Sequence, residues 1–252
     1  FIAANMFSFR PFKKLWISGG NSIIYSDLGF HPVYLIPVFF YKSVEHTYNS
    51  GIDNMNSHMW LDISSRQVKN LHLYATMFID ELATARLWDP DVWNFFSYKA
   101  GFRLSNLPVK NLGLTGEFTY TYPLVFRHYV STLTFETNSY NMGHYLKDNS
   151  REWYFAVDYR PLRATSIKIF FSDAVRGPDY TALGVPRLGN PPLATHEWQS
   201  TRYGIVISGQ LINDLYLHAS FISSNTRGTE EWTAPYFFGK QNTFNFGITL
   251  GY

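Results

Sequence analysis

The last twelve residues, Gln241 to Tyr252, alternate without a break: Phe244, Phe246, Ile248, Leu250 and Tyr252 on one side, Asn245, Gly247, Thr249 and Gly251 on the other. A period of two is that of an extended strand, whose successive side chains point to opposite faces. One face is wholly apolar and the other small and polar, so the strand must separate two different surroundings. The length suits a tilted membrane strand of roughly 9–11 residues. A closing aromatic suits the interfacial ring belt of a transmembrane β-barrel.

The same grammar recurs upstream. Leu71, Leu73, Ala75, Met77 and Ile79 oppose His72, Tyr74, Thr76, Phe78 and Asp80. Leu112, Leu114, Phe118 and Tyr120 oppose Thr115, Glu117, Thr119 and Thr121, and Trp153, Phe155, Val157 and Tyr159 oppose Tyr154, Asp158 and Arg160. Leu215, Leu217, Ala219 and Phe221 oppose Tyr216, His218 and Ser220. Similar segments at 5–10, 14–25, 55–65, 95–105, 164–173 and 201–209 bring the expected total to about eleven strands. Five short segments punctuate them, around Lys13-Lys14, Lys69-Asn70, Lys110-Asn111, Arg160-Pro161 and Asn213-Asp214. Proline, Asn or Asp beside a basic residue is turn chemistry. Between these turns lie long connections at 26–54, 81–94, 122–151, 174–199 and 225–240. Short turns alternating with long loops is the asymmetry of outer-membrane barrels, with the short turns periplasmic and the long loops extracellular.

Aromatic residues make up 19% of the 252 residues, yet charged residues still make up 16%. That combination arises when one face meets lipid and the other water. Two packed sheets satisfy the same alternation, but the repeated turns and the aromatic terminus favour the barrel. A closed soluble barrel of this many strands would leave a lumen too wide for its side chains to fill. Mid-strand charges (Lys99, Arg103, Glu117, Asp158, Arg160, Lys168, Arg202) all fall on the polar side, where either a wet lumen or the outer surface of packed sheets accommodates them. The longest apolar run, Val33 to Tyr41, contains Pro37 and is too short for a membrane helix. The stretch His31 to His46 of the first connection is expected to form a short helix that folds into the barrel mouth as a packing plug. Net charge is +2 without basic blocks, which argues against nucleic acid, and the absence of cysteine excludes disulfides and thiolate metal sites. Since bacterial barrels usually have an even number of strands, an odd count means either that one strand is miscounted or that further strands complete the wall. Residues 1–252 are expected to be a single outer-membrane β-barrel domain, the C-terminal part of a larger barrel with N-terminal strands missing.

From Pro37-Val38-Phe39-Phe40-Tyr41 onward the chain resembles the Wzi-type capsule-assembly outer-membrane proteins, including a branch associated with gliding motility. The resembling elements follow in order: Glu45-His46, Asp53-Asn54, Asp80-Glu81, Tyr120 to His128, Met142-Gly143-His144-Tyr145 and Asp148-Asn149-Ser150-Arg151-Glu152. They fall within residues 30–180. Met142 stands where leucine is expected, and Asp89-Pro90-Asp91 has no counterpart in the pattern. The resemblance implies a bacterial outer-membrane barrel that binds surface or capsular polysaccharide without catalysis. A glycan site needs aromatic faces for sugar C–H surfaces and carboxylates or amides for hydroxyls. The extracellular connections offer Asp53, Asn54, Asp80, Glu81, Trp88, Trp93, Tyr122, His128, Tyr140, His144 and Asn149 for that purpose.

No catalytic residues are assigned, because no serine sits in a strand-to-helix nucleophile turn. No metal or other cofactor is assigned, because His46 and Asp53, or His128 and His144, lack a recognisable ligand spacing. The expected partners are outer-membrane lipid and surface polysaccharide. Two alternatives stay open. One is a structural or accessory subunit of a larger outer-membrane complex for secretion, gliding motility or barrel assembly, with other outer-membrane proteins as partners. The other is a porin.

Overall fold

The structure is a computed structural model that describes residues 1–26, 29, 32–48, 54–88, 93–180 and 191–251. The first six strands are β1 (Ile2–Phe12), β2 (Leu15–Tyr25), β3 (Met55–Ser65), β4 (Leu71–Glu81), β5 (Phe95–Ser105) and β6 (Leu112–Thr121). A small hairpin, β7 (Glu136–Thr137) and β8 (Tyr140–Asn141), lies inside the third connection. Then come β9 (Ser150–Tyr159), β10 (Thr165–Arg176), β11 (Trp198–Ile212), β12 (Leu215–Gly228) and β13 (Gly239–Leu250). Apart from the hairpin, all eleven strands form one antiparallel sheet in chain order. No helix among the described residues is long and apolar enough to cross a membrane. Crossing belongs to the strands.

Register carries the alternation around the wall. On one face Leu104, Leu114, Val157, Ile169, Ile205, Phe221 and Phe244 are successive cross-strand partners over seven strands. On the other, Asp62, Thr76, Lys99, Thr119 and Glu152 form an equivalent polar row. The apolar face is not packed into a core: Leu73 is 47% exposed, Ile169 53% and Phe244 77%. The polar row is where the side chains meet one another. Lys99 pairs with Glu117 at 3.2 Å, Tyr74 donates to Glu117 at 2.8 Å, and Thr76 donates to Asp62 at 2.7 Å. An exposed apolar outside and a polar inside define the wall of a transmembrane β-barrel.

The short turns close with residues that tolerate a left-handed backbone. Lys14, Asn70, Asn111 and Asp214 have φ between 62° and 65°, and Asn and Asp are the non-glycine residues most at ease there. Close aromatic cover also shapes the inner face. A methyl group added at Gly20 would overlap the Trp60 ring, and one at Gly101 would overlap Tyr74. Glycine at these two positions lets the rings lie flat along the wall.

β11 and β12 are longer than their alternation predicts, at 15 and 14 residues. Their upper ends carry Gln199, Ser200 and Thr201 on β11 and Ser223, Ser224, Asn225 and Thr226 on β12, polar on both faces, so this hairpin extends beyond the hydrocarbon. Among the described residues the sheet has two edges, β1 and β13. Both run from the long-connection end to the short-turn end, because each is an odd-numbered member of the antiparallel order. Pairing them directly would be parallel.

Candidate functional site

The third connection, between β6 and β9, folds onto the inner face of the wall. Its two ends are tied together where the Asn149 amide donates to the Tyr122 carbonyl at 3.1 Å. Inside that closure the buried Asp148 carboxylate accepts three backbone N–H groups. Val125 and Phe126 donate to Oδ1 at 3.1 and 2.7 Å, and Arg127 donates to Oδ2 at 3.1 Å. Burial pushes the Asp148 carboxyl up to about 6, against the pull of the Phe126 amide and with a push from Asp179. Phe135 then returns along Phe126, its N–H donating to the Phe126 carbonyl at 2.8 Å. Asn138 and Ser139, both with positive φ, turn the β7–β8 hairpin.

The loop is held to the wall by rings. Phe126 and Phe135 lie 5.4 and 5.0 Å from Phe78 between centroids, and Phe135 lies 4.9 Å from the His58 ring. Leu133 is fully buried, and its carbonyl accepts from Asn56 Nδ2 at 3.2 Å. Further along, Tyr145 donates to Glu152 Oε1 at 2.6 Å, and His144 Nε2 lies 3.4 Å from Glu152 Oε2. Between wall and loop is a cavity of about 550 Å³, bounded by Trp60, Phe78, Phe126, Phe135 and Tyr145 with Thr76, Lys99 and His144. That size falls within the ordinary range for small-molecule sites, as does a mostly apolar lining with a few polar groups.

The fourth and fifth connections brace the third. Asn149 Nδ2 donates to the Pro178 carbonyl at 2.9 Å, and its Oδ1 accepts from Leu193 N–H at 2.7 Å. Asp179 binds Arg127 at 2.8 Å and Arg176 at 3.3 Å. The Arg176 guanidinium lies 3.3 Å from the centroid of Trp232 in the fifth connection. That is a stacked, cation–π arrangement.

The first connection departs from the sequence expectation. Its turn (Pro32–Leu35) and its helix α1 (Tyr41–Tyr48) do not plug the lumen. Tyr34 and Tyr41 pack with Ile23, Tyr25 and Met55, on the pleat face that lower down carries Ile17, Leu61 and Ile63. The physical reason is the upper half of β2 and β3, which carries apolar and amide side chains on its outer face: Asn21 Oδ1 accepts from the Tyr41 N–H at 2.8 Å. The lumen is left to the third connection.

The candidate residues from the sequence divide accordingly. Asp53 lies outside the described residues. Asn54 closes its connection, its carbonyl accepting from Ser26 N–H at 3.0 Å. Asp80 stands 3.3 Å from His58 Nε2, and Glu81 pairs with Arg86 at 3.0 Å. Trp93 and Tyr122 pack against the cluster of Phe95, Val125 and Phe126. His128 accepts the Val130 N–H on Nδ1 at 3.1 Å. Asn149 is buried, with both amide atoms engaged between connections. Trp88 is 90% exposed and Tyr140 77%, and neither lines the cavity. Of the ten candidates among the described residues, only His144 does. The cavity residues missed were Trp60, Phe78, Lys99, Phe126, Phe135 and Tyr145. A signal was present for two of them: Trp60 and Phe78 are large rings at positions where the alternation calls for the polar face. Among the described residues, no three His, Asp or Glu side chains gather as a metal site.

The wall, its polar lumen and its long connections at one end are those of an outer-membrane β-barrel. No protein family matches the sequence, and no curated protein does. Among solved structures the chain is similar to the NanC porin, at 10% identity and TM-score 0.39, covering 100% of this chain and 97% of that one. It is also similar to OccD3 (OpdP) of Pseudomonas aeruginosa, at 10% identity and TM-score 0.45, covering 98% of this chain and 59% of that one.

Proposed function

We propose that the protein is a non-catalytic outer-membrane barrel that holds a surface or capsular glycan at its extracellular end. The observation that carries this is the cavity beneath the third connection. There the faces of Trp60, Phe78, Phe126 and Phe135 stand beside Lys99, Thr76 and His144. Rings offer flat surfaces to sugar C–H groups, and the amine, hydroxyl and imidazole reach sugar hydroxyls. The class of ligand is the one that the resemblance to capsule-assembly proteins implies. Its place is the lumen cavity rather than the tips of the connections.

A glycan array followed by calorimetry in neutral detergent tests this. Trp60→Ala is expected to weaken binding about tenfold or more, whereas Trp88→Ala and Tyr140→Ala leave it unchanged. Binding that depends on Trp88 and Tyr140 but ignores Trp60 would move the site to the loop tips. No binding to any glycan would remove the reading.

A further inference from the structure

Cations gather at the opposite end of the barrel. Two adjoining cavities open on the inner face beside the short turns. One, of about 440 Å³, is lined by Arg103, Arg160 and Lys168 together with Thr115, Asn106 and Asp158. The other, of about 580 Å³, is lined by Lys14, Arg66, Lys69 and again Arg103, with His72 and Trp16. Arg103 and Ser105 belong to both, so the two form one trough across neighbouring strands. Six cations face one carboxylate, Asp158, which is 3.5 Å from Lys168. Among the described residues, none of the other five takes part in an ion pair.

Turn chemistry explains why basic residues occur at the turns, but not why they converge inside. Arg103 and Lys168 are strand residues on the inner face, where lipid headgroups outside the wall do not reach them. A concave surface lined by one sign of charge focuses its field and concentrates counter-ions. Arginine forks and lysine ammonium groups match carboxylate and phosphate oxygens, the former two bonds at a time. The Asn106 and Asn111 amides and the Thr115 hydroxyl extend the polar lining.

We infer that this trough is a binding site for a small soluble polyanion, one that carries two or more carboxylate or phosphate groups, at the periplasmic mouth of the lumen. The site is separate from the cavity under the third connection and does not rest on the glycan reading.

Inorganic tripolyphosphate is a suitable probe, titrated calorimetrically into the whole protein in phosphatidylcholine nanodiscs at low and high salt. Binding is expected to weaken with salt and to fall about tenfold or more in Arg103→Gln, which lies in both cavities. Arg66→Gln, at an exposed turn, should reduce it by a smaller factor and guards against a folding defect in the first variant. Lys240→Gln, at the far end, should leave it unchanged. Equal weakening by Lys240→Gln, or no binding at low salt, would overturn the proposal. So would loss of tripolyphosphate binding in phosphatidylglycerol nanodiscs, since the occupant would then be a lipid headgroup.

Discussion

Replacing Asp148 by alanine is expected to detach the third connection from the inner wall while leaving the eleven strands in place. The carboxylate is buried and holds the N–H groups of three consecutive residues, Val125, Phe126 and Arg127. Alanine leaves those three donors without an acceptor in a site that water does not readily reach. The loss of local stability should be about 3 kcal/mol, which speeds exchange of the three amide protons roughly a hundredfold. Hydrogen exchange read by mass spectrometry checks this, and glycan binding should fall in parallel because the cavity loses Phe126 and Phe135.

The same residue sets a pH dependence. Burial raises the Asp148 carboxyl from 3.8 to about 6 in the folded protein. Between those two values the folded state keeps a proton that the open state releases, so loop stability declines as pH rises from about 4 through about 6. Asp148→Asn imitates the neutral form. Its Oδ1 still accepts from Val125 and Phe126, while its NH₂ faces the Arg127 N–H. This variant should exchange faster than the wild type at pH 5, with a profile that no longer bends near 6. A bend that persists in Asp148→Asn would assign the titration to another group.

The second large effect concerns the outer face. Phe155 lies at the middle of β9, 44% exposed, with Phe171 and Gly116 as cross-strand partners. Arginine there must place its charge in hydrocarbon or bend toward the interface, and the cost should be about 2–4 kcal/mol. Ser220→Arg, on the inner face of β12, puts the same charge in the wet lumen and should cost less than about 1 kcal/mol. Reversible guanidinium unfolding in vesicles measures both. Similar losses for the two variants would mean that the two faces share one environment.

The wall was legible because a period of two needs no tertiary information. Leu73, Leu114, Val157 and Phe244 declare one face, and Thr76, Lys99, Glu117 and Asp158 the other. Turn positions followed from Asn70, Asn111 and Asp214, which are local conformational preferences. The connections were not legible in the same way, since loop placement is decided by which apolar groups find a complementary wall. The stretch His31 to His46 looked like the plug, but Ile23, Tyr25 and Met55 offered Tyr34 and Tyr41 a surface on the other side of the pleat. Phe126 and Phe135 took the lumen because Phe78 and His58 point into it. Asn149 stood out as a polar loop residue suited to sugar. Its amide instead joins two connections, a use that depends on Pro178 and Leu193, distant in sequence. The upper ends of β11 and β12 were missed because alternation ceases to be informative once both faces meet water.

The sidedness of the wall underlies every functional statement above, and the chain suits a direct test because it contains no cysteine. Single cysteines at Leu73, Val157 and Ile169, and at Thr76, Thr115 and Ser166, can each carry a nitroxide label in lipid vesicles. The first three should collide readily with oxygen and be shielded from a water-soluble nickel complex. The second three should show the opposite preference. Nickel access at Leu73, Val157 and Ile169 together with oxygen access at Thr76, Thr115 and Ser166 would contradict the barrel as described.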